Sequence, residues 1–215
     1  MIPAADLRAA LLVAVAAGFC ALFLRLAAAG LLLRFPAFAS YALLMGVRYG
    51  FWAAGRTDWH QVVETVIATT CLVALLEAFW AVAREQAAIP RRRLLNRALA
   101  LGALAAWATS GLPHEPNQIR EYQRYWLMAQ MGMATFAVAG AVGLRRVASG
   151  RAYGHLCLMA AHLGSRGVNF INYPSYATTE ARWQAYWWQQ FTYLPVTLAC
   201  LGAWWWVMGR RERRS

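Results

Sequence analysis

The chain has 215 residues, 60% of them hydrophobic and only 14% charged, with a mean hydropathy of +0.38. Those values suit a polytopic membrane protein better than a soluble domain. The formal net charge is +12, and every basic residue is arginine. The arginines fall between apolar runs, a pattern of membrane topology and not of a nucleic-acid groove, so no nucleic-acid partner is expected. Without lysine no side-chain Schiff base can form, which excludes a retinal protein.

Seven segments approach the ~20 residues a hydrocarbon core requires. They lie near 7–33, 37–54, 59–83, 95–111, 122–144, 152–172 and 184–208. The expected fold is an all-α, seven-transmembrane-helix bundle forming one domain over 1–215, with no internal repeat. The N-terminus lacks a basic leader pattern, so a cleavable signal is not expected.

The first segment carries Arg25 and the second Arg48. The third carries His60 and Glu64 one turn apart, and Glu77 further along. The fourth is the shortest. The turn-rich sequence GLPHEPNQIREYQRYW leads into the fifth, which holds Gln130. The sixth, GHLCLMAAHLGSRGVNFINY, aligns His155, Met159, His162, Arg166, Asn169 and Tyr173 at steps of three or four residues, forming a polar stripe on one helix face. In lipid such a stripe must face protein or trapped water. The seventh holds Gln189, Gln190 and Pro195, whose missing N–H predicts a kink. Cys20, Cys71, Cys157 and Cys200 fall in different spans without paired spacing, and read as small buried apolar groups.

Thirteen arginines (Arg34, Arg84, Arg91, Arg92, Arg93, Arg97, Arg145, Arg146, Arg151, Arg210, Arg211, Arg213, Arg214) lie on one side of these spans and five (Arg8, Arg56, Arg120, Arg124, Arg182) on the other. The positive-inside bias puts the N-terminus outside and the C-terminus in the cytoplasm. Arginine and alanine richness points to a GC-rich genome, hence a bacterial cytoplasmic (inner) membrane. Tryptophans and tyrosines gather near the outer ends, and Trp204, Trp205 and Trp206 near the inner end of the seventh span, as interfacial belts.

At ~1.5 Å per residue, Arg48, Glu64 and Arg166 come about 10 Å below the outer boundary, with Gln130 and Gln189 at similar depth. The expected site is an outward-facing pocket for a small anionic or carbonyl-bearing ligand, with Arg48, Glu64, Arg166 and Asn169 holding it and His60, His162, Gln130 and Gln189 in support. Arg25 and Glu77 are expected to pair nearer the cytoplasmic side. The function read here is binding or sensing without catalysis. The alternative is an accessory subunit of a larger membrane complex, with the polar layer as internal glue and partner proteins or further copies around it.

A third alternative is a haem or quinone redox protein or an intramembrane enzyme. No cofactor is expected: His155 and His162 stand ~10 Å apart along the axis and cannot ligate one iron. The fragment Ala161-His162-Leu163-Gly164 resembles the histidine-bearing helix of rhomboid intramembrane proteases, and Ser110-Gly111 resembles part of their nucleophile motif. Ala108 stands where that motif has its first glycine, the expected orientation has the wrong parity, and Ser110 is shallower than His162. No protease is expected on those grounds.

Overall fold

The structure is a computed structural model that describes residues 4–55, 60–85, 91–110, 118–145, 150–171 and 192–209. The side chains of 4–6, 60–62, 85, 91, 109–110, 118–127 and 167–171 are outside that description. The described residues are all-α, without a strand, in seven helices: α1 (Ala4–Ala28), α2 (Pro36–Ala53), α3 (His60–Glu85), α4 (Arg91–Ser110), α5 (Gln118–Leu144), α6 (Gly150–Ile171) and α7 (Leu194–Gly209). Two stretches, Leu7–Ala28 of α1 and Val63–Arg84 of α3, are long and apolar enough to cross a membrane. Met128–Leu144 and α7 are shorter apolar stretches.

The first helix is shorter than its apolar run. Gly30 adopts a φ of +67°, the left-handed conformation that glycine enters without steric penalty, and the helix stops ahead of it at Ala28. Pro36 then opens α2 at a position where an absent N–H is harmless. Pro195 is likewise the second residue of α7, so within the described helix it starts the element and does not bend its middle. The wider helical turn at residues 192–193 immediately precedes it.

Five helices close a ring in the order α1, α2, α3, α6, α7 and back to α1. α5 packs outside the ring against α3 and α6, and α4 packs on α5 at the periphery. Close approach depends on small residues. A Cβ on Gly102 of α4 would sit 2.8 Å from the Gly132 carbonyl oxygen of α5, and one on Gly132 would sit 3.1 Å from the Gly102 oxygen. The two backbones therefore touch, as facing glycines permit.

Side chains from all five ring helices fill its centre. Phe19, Leu22 and Leu26 come from α1, Phe38, Tyr41, Met45 and Tyr49 from α2, and Ile67, Cys71 and Leu75 from α3. Leu156, Met159 and Leu163 come from α6, with Leu194 and Trp204 from α7. Large apolar side chains face outward: Leu24 is 64% exposed, Leu104 56% and Trp107 71%. Trp205 and Trp206 follow that outward pattern, but Trp204 is completely buried, so the expected inner tryptophan belt loses one member to the core. Of the cysteines, Cys71 and Cys200 are buried, Cys157 is half-buried and Cys20 is exposed; all are free thiols.

Candidate functional site

The polar stripe of α6 is buried along its described length. His155, Met159 and His162 have no exposure and Arg166 has 1%, which places the stripe on the face turned to the ring centre. α2 presents a matching stripe: Tyr41, Met45, Arg48, Tyr49 and Trp52 recur at helical spacing, and the first four are buried. The two helices meet mainly through these long side chains.

Three charged groups converge at one level. Glu64 of α3 uses its two oxygens separately: Oε1 pairs with Arg48 Nε, and Oε2 accepts from Arg166 Nη2 at 3.2 Å. Arg166 also turns Nη1 toward Met45 Sδ at 4.0 Å. The Arg48 guanidinium carbon lies 4.0 Å from the centre of the Trp52 ring and 5.4 Å from that of Tyr49. Such a face contact is worth about 2 kcal/mol when desolvated. Arg48 and Glu64 are 4% and 2% exposed, so all three groups are removed from solvent. Isolated buried charges are prohibitive, and here each guanidinium is held against the same carboxylate. Arg48 Nη1 has no hydrogen-bond partner among the described residues.

Toward the N-terminal end of α6 the charges give way to an aromatic column. The Tyr49 and Tyr193 hydroxyls bond to each other, and Tyr41 Oη lies 2.9 Å from His162 Nε2. Phe19, Tyr193 and Trp204 place their rings within 6.3 Å of the His162 ring. Two turns further along, Trp204 donates its indole N–H to His155 Nδ1 at 3.1 Å, which fixes the His155 proton on Nε2. Phe38 and Phe35 flank that imidazole at 4.2 and 5.4 Å. Thr197 lies on the face of α7 that carries Trp204, also fully buried, with its hydroxyl unpartnered among the described residues.

Of the expected site residues, Arg48, Glu64 and Arg166 are brought into contact, and His162 stands one turn away from Arg166 on the same stripe. Gln130 is fully buried, and neither amide atom has a partner among the described residues. Its level follows from register: Gly140 of α5 packs on Phe79 and Leu156, and ten residues back at ~1.5 Å each brings Gln130 level with Arg166 on antiparallel α6. Gln189 lies outside the described residues, as do the side chains of His60 and Asn169.

Arg25 and Glu77 are not brought together. The half-buried Glu77 carboxylate instead accepts the backbone N–H groups of Ala37 and Phe38, at 3.2 and 3.0 Å. Those are the second and third residues of α2, whose own cap position, Phe35, offers no side-chain hydrogen bond. A carboxylate on a neighbouring helix thus does the work of an N-cap, favoured by the positive end of the helix dipole. Arg25 lies over the Trp205 ring at 5.2 Å and reaches Gly209 at the C-terminal end of α7, the negative end of that dipole.

Tyr41, Met45, Tyr49, Trp52, Tyr193 and Trp204 were not among the expected site residues. For α2 the signal was present, since Tyr41, Met45 and Trp52 sit at helical spacings from Arg48. For α7 it was hidden, because tryptophans near a helix end read equally well as interfacial. α4, which carries Ser110, packs on α5, while His162 Nε2 is engaged by Tyr41 of α2. Among the described residues no group of three or more His, Cys, Asp or Glu side chains is placed to hold a metal ion. Comparison with protein-family models, curated proteins and solved structures finds no match to this chain.

Proposed function

We propose that the chain is a seven-helix integral membrane protein of a bacterial cytoplasmic membrane, N-terminus outside, whose Arg48–Glu64–Arg166 cluster forms the floor of an outward-facing site for a small anionic or carbonyl-bearing ligand. The membrane part is supported by the large apolar side chains that lie outside while Arg48, Glu64 and Arg166 lie buried within. The exposed hydroxyls of Ser40 and Thr69 also turn back onto carbonyls of their own helices, as lipid would require. The observation that carries the ligand part is Arg48 Nη1, which has no hydrogen-bond partner among the described residues, in a buried cluster with Glu64 and Arg166.

Native mass spectrometry from mild detergent tests it. A discrete small molecule retained by the wild type and lost on Arg48→Gln is the expected result. Retention unchanged by both Arg48→Gln and Arg166→Ala would remove these arginines from the site. A C-terminal fluorescent fusion that folds only on the cytoplasmic side checks the orientation.

A second reading is favoured by one specific feature: Glu64 ties α2, α3 and α6 together through two separate oxygens, which is what an internal lock requires. The chain would then be an accessory subunit. Copurification of a stoichiometric partner without a small ligand is the outcome that selects it.

A further inference from the structure

We propose that one water molecule, enclosed in an otherwise dry core, sits between α6 and α7 and is held by His162 Nδ1 and the Thr197 hydroxyl. The site is separate from the Arg48–Glu64–Arg166 cluster and stands whether or not that cluster binds a ligand. His162 and Thr197 have no exposure, and neither Nδ1 nor Oγ1 has a hydrogen-bond partner among the described residues. The two side chains share a level. The rings of Tyr193, just ahead of α7, and of Trp204, within it, stand 6.3 and 5.7 Å from the His162 ring, and Thr197 falls between them in the chain. Thr197 also precedes Trp204 by two turns, which puts both on one face of α7.

The Thr197 hydroxyl departs from what other hydroxyls in this chain do. Exposed Ser40 and Thr69 each donate to the carbonyl four residues back in their own helix. Thr197 makes no such bond to the Tyr193 carbonyl, so its hydrogen is left over inside the core. A buried polar group without a partner is costly, and an internal water that bridges two or more such groups is the usual remedy.

The hydrogen bonding around His162 fixes the kind of molecule. Tyr41 Oη bonds to both Cys71 and His162 Nε2, yet it has one hydrogen to give. If that hydrogen goes to Nε2, the ring proton sits on Nδ1, which then needs an acceptor. If it goes to Cys71, Nε2–H donates to Tyr41 and Nδ1 needs a donor. A molecule that both donates and accepts satisfies either arrangement, and Thr197 as well. An ion satisfies only one of them and would put a charge among the Phe19, Tyr193 and Trp204 rings. Those rings stand within 6.3 Å of the imidazole, so the molecule is a small one.

His155, two turns along α6, makes the contrast. Trp204 occupies its Nδ1, so its unpartnered Nε2–H can only donate, and the Phe38 ring centre stands 4.2 Å from its own as a weak acceptor face. No second unpartnered side chain of α7 accompanies it, since Thr197 is the only one among the described residues.

X-ray hydroxyl-radical labelling of the full chain in detergent, read by mass spectrometry, tests the site. Radiolysis turns a bound water into a radical that oxidises the side chains beside it, while a scavenger in the buffer consumes radicals made in bulk. With scavenger present, His162 should be oxidised several-fold more than His155, and Tyr193 more than the likewise buried Phe79 and Phe136, which pack ring against ring at 5.6 Å. Thr197→Val, which removes the hydroxyl and keeps the shape, should lower the His162 label roughly 2- to 10-fold, the share of occupancy one hydrogen bond carries. Labelling of His162 no higher than that of His155 would overturn the proposal. So would a His162 label unchanged by Thr197→Val, since the water would then be held elsewhere. The wild-type comparison decides by itself if the variant does not fold.

Discussion

The two glutamates of α3 face the same problem and solve it differently. Glu64, near one end of the helix, is buried and meets two guanidiniums from α2 and α6. Glu77, 13 residues further on, is half-buried and meets no cation among the described residues; it takes two backbone N–H groups at the start of α2. The first carboxylate compensates charge, and without it two buried arginines would lose the anion they share. The second compensates orphaned backbone donors, and without it a helix end would fray. One helix thus carries a lock made of charges and a lock made of a dipole, and both hold α2.

Removing each carboxylate should break that comparison open. Glu64→Ala should be the most destabilising change, by ~3–5 kcal/mol, because it removes the carboxylate that two buried guanidiniums share. Thermal or denaturant unfolding in detergent, followed by circular dichroism, measures it. Replacing all three members together (Arg48→Met, Glu64→Leu, Arg166→Met) should instead be neutral or stabilising by up to ~4 kcal/mol, since a buried ion triad yields to apolar packing of similar volume. If that triple variant folds and still retains its ligand, the cluster is a lock and not a site.

Glu77→Ala should cost about 1–2 kcal/mol, the range of a lost helix cap. The loss should appear locally, as faster hydrogen exchange at the Ala37 and Phe38 amides with α6 unaffected. Exchange that rises equally across the bundle would mean Glu77 supports more than the start of α2. Tyr41→Phe should cost ~1–3 kcal/mol by leaving His162 Nε2 without its partner in a dry core. Arg25→Ala should be the mildest, about 0.5–1 kcal/mol from the half-buried contact with Trp205. A larger loss would show that Arg25 matters to the end of α7 more than its position over the ring indicates.

Much of the polar cluster was legible because polar residues within apolar helices are informative. An arginine and two histidines repeating at helical spacing in an apolar helix have one tolerable orientation, and α6 adopts it, with His155, His162 and Arg166 at 0–1% exposure. Depth counting likewise put Arg48, Glu64 and Arg166 in one layer, because an α-helix converts residue number into height. It could not say which helices were neighbours. Arg25 and Glu77 share a height too, yet Glu77 turns to α2 and Arg25 to α7.

The sequence by itself determined the helical class, the polar face of α6 and the level of the charged layer, since these follow from hydrophobicity and the fixed rise of a helix. Tertiary structure decided the rest. Only the closing of α1, α2, α3, α6 and α7 into a ring places Tyr41 on His162, Trp204 on His155 and the Glu77 carboxylate at the start of α2. Those contacts depend on how helices rotate and approach one another, which is set by packing between surfaces and is not encoded in the period of any one of them.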